Sequence, residues 1–277
     1  MKDLFVSVNN INLHYSDLSN NKPVLILLHG LTANAHAFDK VVEGLNDSYR
    51  VICPDFRGNG LSDKPETNYT VEDHAADIVG LINHLGLETV YLGGHSFGGY
   101  LAVYIAANYP QLVSKLIILD AATSMNPNAA KMLANAISRL DAVYPSFDEY
   151  LEHVKKAPYL DFWDPAMLSY YRADVQDLPD GTVKPRCQLN SIAQKSIALS
   201  KVKWAELFPL IAHPALLVNA TGAYTLGEAL LPPEIAQSTV AGMPNARYAA
   251  VEGNHLTMLY GKGADSTAIL ITEFLSS

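Results

Sequence analysis

The sequence predicts an α/β protein built on a mostly parallel, doubly wound sheet with a helical insert. Short apolar runs alternate with longer segments of helical periodicity, which is typical of strands joined by crossover helices. The run 24–28 is apolar throughout, as expected for a strand covered by helices on both faces. Between residues 122 and 211 the alternation stops, and no run has the pattern of a strand. These three observations define the predicted architecture.

Eight strands and four principal helices are predicted from these patterns. The first two strands form a hairpin because Asn9-Asn10 separates them. In the helix 71–85, apolar residues recur at helical spacing, and Thr70 is suited to cap the first turn, with Asp73 three residues further on. The predicted strands are 4–8, 11–15, 24–28, 51–53, 89–92, 116–119, 215–218 and 247–251, and the predicted helices are 71–85, 97–109, 232–241 and 265–275.

The insert is expected to cover one end of the sheet as a cap, with ordinary helices on the sheet face as the alternative. Residues 1–121 and 212–277 then form the α/β core domain, and residues 122–211 form the cap. The insert contains ten Lys or Arg and ten Asp or Glu residues, so the rest of the chain carries the whole net charge of −9. Its many aromatic residues favour a mostly apolar binding pocket.

The composition excludes several classes of protein. With 277 residues, 49% of them hydrophobic and 17% charged, the chain is long and apolar enough to bury a large core. A net charge of −9 disfavours binding to nucleic acids or to anionic membranes. The N-terminus has no apolar signal segment, and glycines and prolines interrupt the apolar stretches 89–114 and 207–227, so we expect a cytoplasmic protein without a membrane span. Cys53 and Cys187 match no disulfide framework or metal site.

The segment Gly94-His95-Ser96-Phe97-Gly98 lies between a predicted strand and a predicted helix. In this context the pattern G-x-S-x-G indicates a sharp turn that lifts a serine above the edge of the sheet. We expect Ser96 to be a nucleophile, and we expect the N–H of Phe97, at the start of the helix, to face a developing oxyanion. An inert serine in a glycine turn is the alternative.

Two further loops follow predicted strands. His29-Gly30-Leu31 follows the strand 24–28 and can supply the Leu31 N–H as a second oxyanion donor. His255 follows the last strand and can reach the serine as a general base. Its late position agrees with the chain order serine, acid, histidine that such sheets use. The other histidines have no metal-ligand spacing, so no metal site is expected.

With these motifs the chain resembles the α/β-hydrolase-fold serine hydrolases. Residues 54–65, Pro-Asp-Phe-Arg-Gly-Asn-Gly-Leu-Ser-Asp-Lys-Pro, are similar to the loop after the fourth strand of that family, where Asn59 is usually His. The resemblance covers residues 4–121 and 212–276. It implies the α/β-hydrolase fold, and it implies that the elbow serine and the loop histidine act with a carboxylate as a catalytic triad, without a cofactor.

The carboxylate of this triad is where the sequence departs from most of the family. Most relatives carry an Asp after the strand equivalent to 215–218, but the segment 219–225 contains no Asp. A subset that this chain resembles, through residues 60–67 among others, places its acid where Asp120 stands. This subset includes certain haloalkane dehalogenases, zearalenone lactone hydrolases and acetamidomethylene-succinate hydrolases. We therefore expect Asp120 to be the acid, with Glu228 as the alternative.

The expected activity is hydrolysis of a small carboxylic ester or lactone through an acyl-enzyme intermediate. Hydrolysis of an amide or a carbon–carbon bond in a small carboxylated metabolite uses the same residues and stays open, as does a ligand-sensing protein on this fold. The expected partner is a small-molecule substrate, and the protein is expected to be a monomer or a homodimer. Residues predicted to bind the substrate are Trp163, Tyr159, Tyr224 and Arg172. Arg139, Arg172 and Arg186 are candidates to pair with a substrate carboxylate, but solvated surface positions are expected for all three.

Overall fold

The structure is a computed structural model that describes all residues from 1 to 277. Its strands are β1 (Lys2–Val8), β2 (Ile11–Asp17), β3 (Val24–Leu28), β4 (Arg50–Pro54), β5 (Val90–His95), β6 (Val113–Leu119), β7 (Val175–Asp177), β8 (Val183–Pro185), β9 (Ala215–Ala220) and β10 (Ala246–Val251). Its helices are α1 (Asp39–Glu43), α2 (Val71–His84), α3 (Phe97–Asn108), α4 (Ala129–Met132), α5 (Ala134–Ser138), α6 (Phe147–Val154), α7 (Met167–Asp174), α8 (Leu189–Lys201), α9 (Trp204–Leu207), α10 (Pro233–Ala241) and α11 (Gly261–Ser276).

Eight of the strands form one sheet in the order β1-β2-β4-β3-β5-β6-β9-β10. Six adjacent strands of this sheet, β4, β3, β5, β6, β9 and β10, are parallel to one another, and the antiparallel β1–β2 hairpin joins β4 in antiparallel pairing. The predicted mostly parallel sheet is therefore confirmed, and all eight predicted strands are present with small shifts at their ends. No helix has both the length and the apolar character that a bilayer crossing requires.

Helices cover both faces of this sheet, as a doubly wound fold requires. Leu25 and Leu27 of β3 belong to one apolar cluster, whereas Ile26 and Leu28 belong to another on the opposite face. The alternation follows from strand geometry, because successive side chains of a strand point to opposite sides. Helices α2, α3 and α10 bury their apolar residues in one cluster, and α1 and α11 bury theirs in the other.

The starts of two helices show how local sequence sets their bounds. Thr70 Oγ1 accepts a hydrogen bond from the N–H of Asp73 at 3.1 Å, and Asp73 Oδ2 accepts one from the Thr70 N–H at 3.0 Å. This reciprocal cap confirms the predicted start of α2. Helix α11 begins at Gly261, earlier than the predicted residue 265, because glycines in its first turn hide the helical pattern.

The segment between β6 and β9 contains α4 to α9 and contributes residues to a cavity beside the predicted nucleophile. The prediction that this insert lacks strands is wrong at β7 and β8, which pair as a small antiparallel hairpin. Each of these strands has only three residues, too few for the alternating pattern by which longer strands are recognised. The hairpin turns at Gly181, which has a φ of 87° that favours glycine.

Candidate active site

Ser96 lies between the end of β5 and the start of α3, with φ 55° and ψ −118°. A positive φ is uncommon for a residue other than glycine and costs on the order of 1–3 kcal/mol. The two glycines of the motif allow this turn. A β-carbon on Gly94 would overlap the backbone carbonyl of Gly98, and one on Gly98 would overlap the backbone carbonyl of Leu28. The G-x-S-x-G pattern therefore holds Ser96 in a tight elbow at the edge of the sheet.

His255 and Asp120 meet across two loops at the carboxyl ends of their strands. His255 Nδ1 lies 2.7 Å from Asp120 Oδ2, and both side chains are buried. Because a carboxylate only accepts hydrogen bonds, Nδ1 carries the proton in this contact, and Nε2 is left as the basic nitrogen. The pair thus has the arrangement in which an acid fixes the tautomer and the orientation of a general base.

Asp120 is held by further hydrogen bonds from β9. Its Oδ1 accepts from Asn219 Nδ2 at 2.9 Å and from the Ala220 N–H at 2.8 Å, so both carboxylate oxygens are occupied. Asn219 is fixed in turn by Tyr248, whose hydroxyl donates to Asn219 Oδ1 at 3.1 Å. Asn219 lies on β9, and its amide serves as a hydrogen-bond donor to Asp120. Sequence analysis missed this residue, although its position at the end of an apolar run was a usable signal.

The alternative acid lies elsewhere. Glu228 is exposed, and its Oε2 accepts a hydrogen bond from Asn126 Nδ2 at 2.7 Å. The side chain makes no hydrogen bond or ion pair with His255. Of the two candidate acids, the structure brings only Asp120 to His255.

His95, which precedes the elbow serine, contacts the loop that carries His255. Its Nε2 donates to the backbone carbonyl of His255 at 2.7 Å, and the two rings lie 4.5 Å apart. Burial lowers the pKa of His95 well below its usual range, so this imidazole is neutral at pH 7.

The two predicted oxyanion donors border the same cavity as Ser96. The Leu31 N–H makes no hydrogen bond to a backbone carbonyl. Phe97 is the first residue of α3, where an N–H has no partner within the helix. Both N–H groups can therefore serve a developing oxyanion.

Residues 30–34, which we call the oxyanion loop, are held through their carbonyl groups. His29 Nδ1 donates to the Gly30 carbonyl at 2.7 Å, and Asn59 Nδ2 donates to the carbonyls of Leu31 at 3.1 Å and Ala33 at 2.8 Å. His29 Nε2 accepts from the Phe56 N–H at 3.1 Å, which agrees with a neutral ring protonated at Nδ1. Burial lowers the pKa of His29 to about 4, so the ring stays neutral at pH 7.

The cavity that these groups border has a volume of about 360 Å³, and 19 of its 26 lining residues are hydrophobic. Ser96 and His255 form part of its wall on the sheet side. Its apolar wall includes residues of the insert and of neighbouring loops, among them Met125, Leu133, Ile137, Leu199 and Leu230. This size and lining suit a small organic ligand.

Two of the four predicted substrate-binding residues line this cavity. The rings of Tyr159 and Tyr224 stack 5.0 Å apart, and Tyr224 presents its ring to His255 at 5.7 Å. Trp163 and Arg172 do not line it, so their predicted positions are corrected. Trp163 stacks on Tyr171 at 5.8 Å, and Arg172 is paired at the surface with an aspartate, Asp177. The insert has no simple periodicity from which the inward-facing residues could be recognised.

The expected surface position of Arg139 is wrong, because its side chain is 3% exposed and lies in the cavity wall. Its guanidinium lies 3.2 Å from the buried carboxylate of Asp174, which also accepts a hydrogen bond from the Tyr150 hydroxyl. Arg139 Nη2 also donates to the carbonyl of Thr32 at 3.3 Å. Arg186 is partly buried and lies outside the cavity lining. No group of three or more His, Cys, Asp or Glu side chains is arranged to hold a metal ion.

The sheet topology, the serine elbow at the end of β5 and the buried histidine–aspartate pair define an α/β hydrolase. A family model for the alpha/beta hydrolase fold matches residues 23–259, and the chain belongs to this family. The predicted resemblance is therefore confirmed.

Relatives with stated activities are found in the same family. The chain is 32% identical over 216 residues to the 2-(acetamidomethylene)succinate hydrolase of Mesorhizobium japonicum, covering 76% of this chain and 74% of that protein. It is 27% identical over 249 residues to the 2-hydroxy-6-oxononadienedioate/2-hydroxy-6-oxononatrienedioate hydrolase of Paraburkholderia phymatum, covering 86% and 82%. A crystal structure of an E-2-(acetamidomethylene)succinate hydrolase superposes with a TM-score of 0.87 at 25% identity, covering 100% of this chain and 99% of the other.

Proposed function

We propose that this protein is a serine hydrolase that cleaves small carboxylic esters or lactones through an acyl-enzyme intermediate on Ser96. One observation carries the proposal: the elbow serine and a histidine oriented by Asp120 border a single cavity of about 360 Å³. A serine hydroxyl is a weak nucleophile at neutral pH, and an oriented imidazole is the group that activates it.

The reaction follows from these positions. His255 Nε2 takes the proton of Ser96 as the hydroxyl oxygen attacks the substrate carbonyl, and Asp120 stabilises the imidazolium that forms. The N–H groups of Leu31 and Phe97 donate to the oxyanion of the tetrahedral intermediate. The intermediate collapses, the leaving group takes the proton from His255, and the acyl group stays on Ser96. Water, activated by the same imidazole, then releases the acid.

The electrostatics of the cavity favour a neutral, mostly apolar acyl group. Arg139 is the only lysine or arginine in the lining, and its charge is already matched by the buried carboxylate of Asp174. A second carboxylate on the substrate would have to compete for that guanidinium or be buried unpaired, which is costly.

A second candidate is hydrolysis of an amide or a carbon–carbon bond in a small carboxylated metabolite. The guanidinium of Arg139 in the cavity wall favours it, because arginine is suited to bind carboxylates. The names of both relatives above also state dicarboxylate substrates. For this second candidate, the Asp174 carboxylate orients the Arg139 guanidinium, and a substrate carboxylate binds to the same guanidinium.

The test is hydrolysis of p-nitrophenyl acyl esters from acetyl to dodecanoyl by the wild type and by Ser96→Ala. We expect repeated turnover by the wild type, best with a short acyl chain, and none by a folded Ser96→Ala variant. Wild-type protein that cleaves an acetamido-alkene dicarboxylate but no ester would favour the second candidate. Binding of ligands without any turnover would favour the ligand-sensing alternative instead.

A further inference from the structure

A buried lysine of the insert is connected to the oxyanion loop through one side chain. Lys195 of α8 is fully buried, and its ammonium donates a hydrogen bond to Asn59 Oδ1. Asn59 is also fully buried, and its Nδ2 donates to the carbonyls of Leu31 and Ala33 at 3.1 and 2.8 Å. The chain of contacts thus runs from the insert to the backbone of the predicted oxyanion donor.

Ordinary stabilisation does not account for this lysine. The lysine ion pairs of the structure are those of Lys40, Lys155 and Lys203, so the Lys195 ammonium is not paired with a carboxylate, and burial lowers its pKa to about 8. The charges of Arg57 and Lys64 also lower this pKa, and both cations have partners of their own: Arg57 is paired with Asp77, and Lys64 donates to two backbone carbonyls. The remaining contact is a cation–π contact, in which the ammonium nitrogen lies 5.5 Å from the centroid of the Tyr69 ring. An unpaired buried cation is costly, so the charge of the ammonium does not by itself stabilise the fold.

The ammonium fixes the orientation of the Asn59 carboxamide, because it can donate hydrogen bonds but cannot accept them. A carboxamide can turn over and exchange its oxygen with its nitrogen at little steric cost, but an ammonium can only donate. Lys195 therefore holds the Asn59 oxygen toward itself and both amide hydrogens toward the loop. In the opposite orientation the amide oxygen would face the carbonyl oxygens of Leu31 and Ala33, and the loop would lose both donors.

We propose that Lys195 is a positioning residue for the hydrolytic reaction, acting through Asn59 to fix the oxyanion loop so that the Leu31 N–H faces the oxyanion. This inference rests on the proposed function of Ser96. The insert holds the same loop at a second point, because Arg139 donates to the Thr32 carbonyl at 3.3 Å. Lys195 itself does not line the cavity, so its effect is transmitted rather than direct.

The experiment compares Lys195→Met with Lys201→Met, the same change at the exposed end of the same helix. Steady-state kinetics on a p-nitrophenyl ester are measured well below the melting temperature. Loss of one oxyanion donor costs about 100- to 1000-fold, so a misplaced donor is expected to lower kcat by roughly 10- to 100-fold with little change in KM. The substitution removes a buried charge but leaves Asn59 Oδ1 without a donor, so the melting temperature is expected to stay within a few degrees of the wild-type value. Lys201→Met should match the wild type throughout.

A second readout does not depend on activity. Amide hydrogen exchange in the segment 28–36 is expected to rise in Lys195→Met and to stay unchanged in Lys201→Met. Asn59→Asp supplies a second variant, in which one carboxylate oxygen keeps the contact with the ammonium while the other faces the carbonyls of Leu31 and Ala33, so the donors to the loop are lost. Its melting temperature is measured first, and kinetics are compared on the folded protein. It should show the same fall in kcat and the same faster exchange.

The outcomes separate the two proposals. If the wild type hydrolyses the ester, Ser96→Ala abolishes turnover, and both loop variants keep wild-type kcat, the role of Lys195 is wrong while the proposed function stands. The role of Lys195 is also wrong if Lys201→Met loses as much kcat as Lys195→Met, or if Lys195→Met loses kcat without faster amide exchange in the loop. If the wild type turns over no ester, the proposed function fails, and the catalytic role of Lys195 fails with it. The exchange data then still show whether the contact between Lys195 and Asn59 holds the oxyanion loop.

Discussion

Asp120 Oδ2 and His255 Nδ1 lie 2.7 Å apart, although 135 positions separate the two residues in the chain. The sheet order brings them together. Strand β6, which ends beside Asp120, pairs with β5 on one side and with β9 on the other. Asp120 and Ser96 therefore follow the ends of two adjacent strands, and the loop after β10 reaches back across β9 to the acid.

This relationship predicts a clear difference between two carboxylate variants. Asp120→Asn should lower kcat/KM by about 1000- to 10,000-fold, because the amide no longer fixes the productive tautomer of His255 or stabilises its cation. Glu228→Gln should stay within a few-fold of the wild type, since Glu228 is exposed and bonded to Asn126. Steady-state kinetics on proteins with unchanged circular dichroism decide the question. An inactive Glu228→Gln beside an active Asp120→Asn would reverse the assignment.

The hydrogen bond from Asn219 to Asp120 predicts that a second acid at this position is harmful. Asn219→Asp would place two carboxylates where Nδ2 and Oδ1 are now 2.9 Å apart, and two such close carboxylates do not both ionise. The folded variant then retains a proton that the unfolded chain releases above about pH 4, so its stability should fall as the pH rises from about 4 to 8.

Thermal unfolding across this pH range measures the effect of Asn219→Asp, with Asn245→Asp at an exposed asparagine as the control. Activity of Asn219→Asp should fall as well. A pH profile of stability parallel to that of Asn245→Asp would show that the carboxylates are not coupled.

The glycine elbow predicts a steric effect. Gly98→Ala should lose about 3 kcal/mol of unfolding free energy, or roughly 6–12 °C in melting temperature, because its β-carbon would overlap the Leu28 carbonyl. The turn that presents Ser96 would shift, so activity should fall far more than stability alone explains. Gly242→Ala, at an α10 end with ordinary backbone angles and no close neighbour, should change neither. An active, equally stable Gly98→Ala would contradict the role of this glycine.

A buried carboxylate in the loop after β4 predicts how the protein unfolds in acid. Burial opposes ionisation of Asp55, but hydrogen bonds from His14 and from the Leu61 N–H dominate and lower its pKa from 3.8 to about 2. Because the unfolded chain binds this proton at higher pH than the folded protein does, the stabilisation is present above about pH 4 and is lost as the pH falls toward 2. It amounts to about 2 kcal/mol.

Urea unfolding of Asp55→Asn between pH 2 and 7 tests this contribution, with Asp47→Asn at an exposed turn as the control. Asp55→Asn should be less stable at pH 7 and should lose less stability on acidification than the wild type. If Asp55→Asn and the wild type lose the same stability in acid, the low pKa of Asp55 does not govern acid unfolding.

The parts of the molecule that the sequence predicted best are those with strong local signals. The buried strands have continuous apolar runs, and Ser96 and His255 stand in glycine-containing turns directly after strands. Asp120 followed from the absence of an Asp in the segment 219–225 and from a resemblance to part of the family. The roles of these residues stay predictions until variants are measured, but the structure places Asp120 and His255 in contact.

The parts that sequence analysis missed depend on tertiary burial of polar groups. Composition favours the surface for arginine and lysine, yet Arg139 and Lys195 are both buried, one against Asp174 and one against Asn59. Such contacts join residues far apart in the chain and leave no periodic pattern. The insert is also built largely from short helices and a hairpin of three-residue strands, so no pattern in the sequence indicates that Trp163 stacks on Tyr171 instead of lining the cavity.

The most direct measurement is labelling of the protein with a fluorophosphonate, followed by peptide mapping of the modified residue. The reagent reacts with an activated serine whatever the natural substrate is. We expect one label on Ser96 in the wild type, labelling slowed by orders of magnitude in Asp120→Asn, and none in Ser96→Ala. A folded wild-type protein that is labelled on another residue, or that stays unlabelled while hydrolysing esters, would contradict the assignment of Ser96 as the nucleophile.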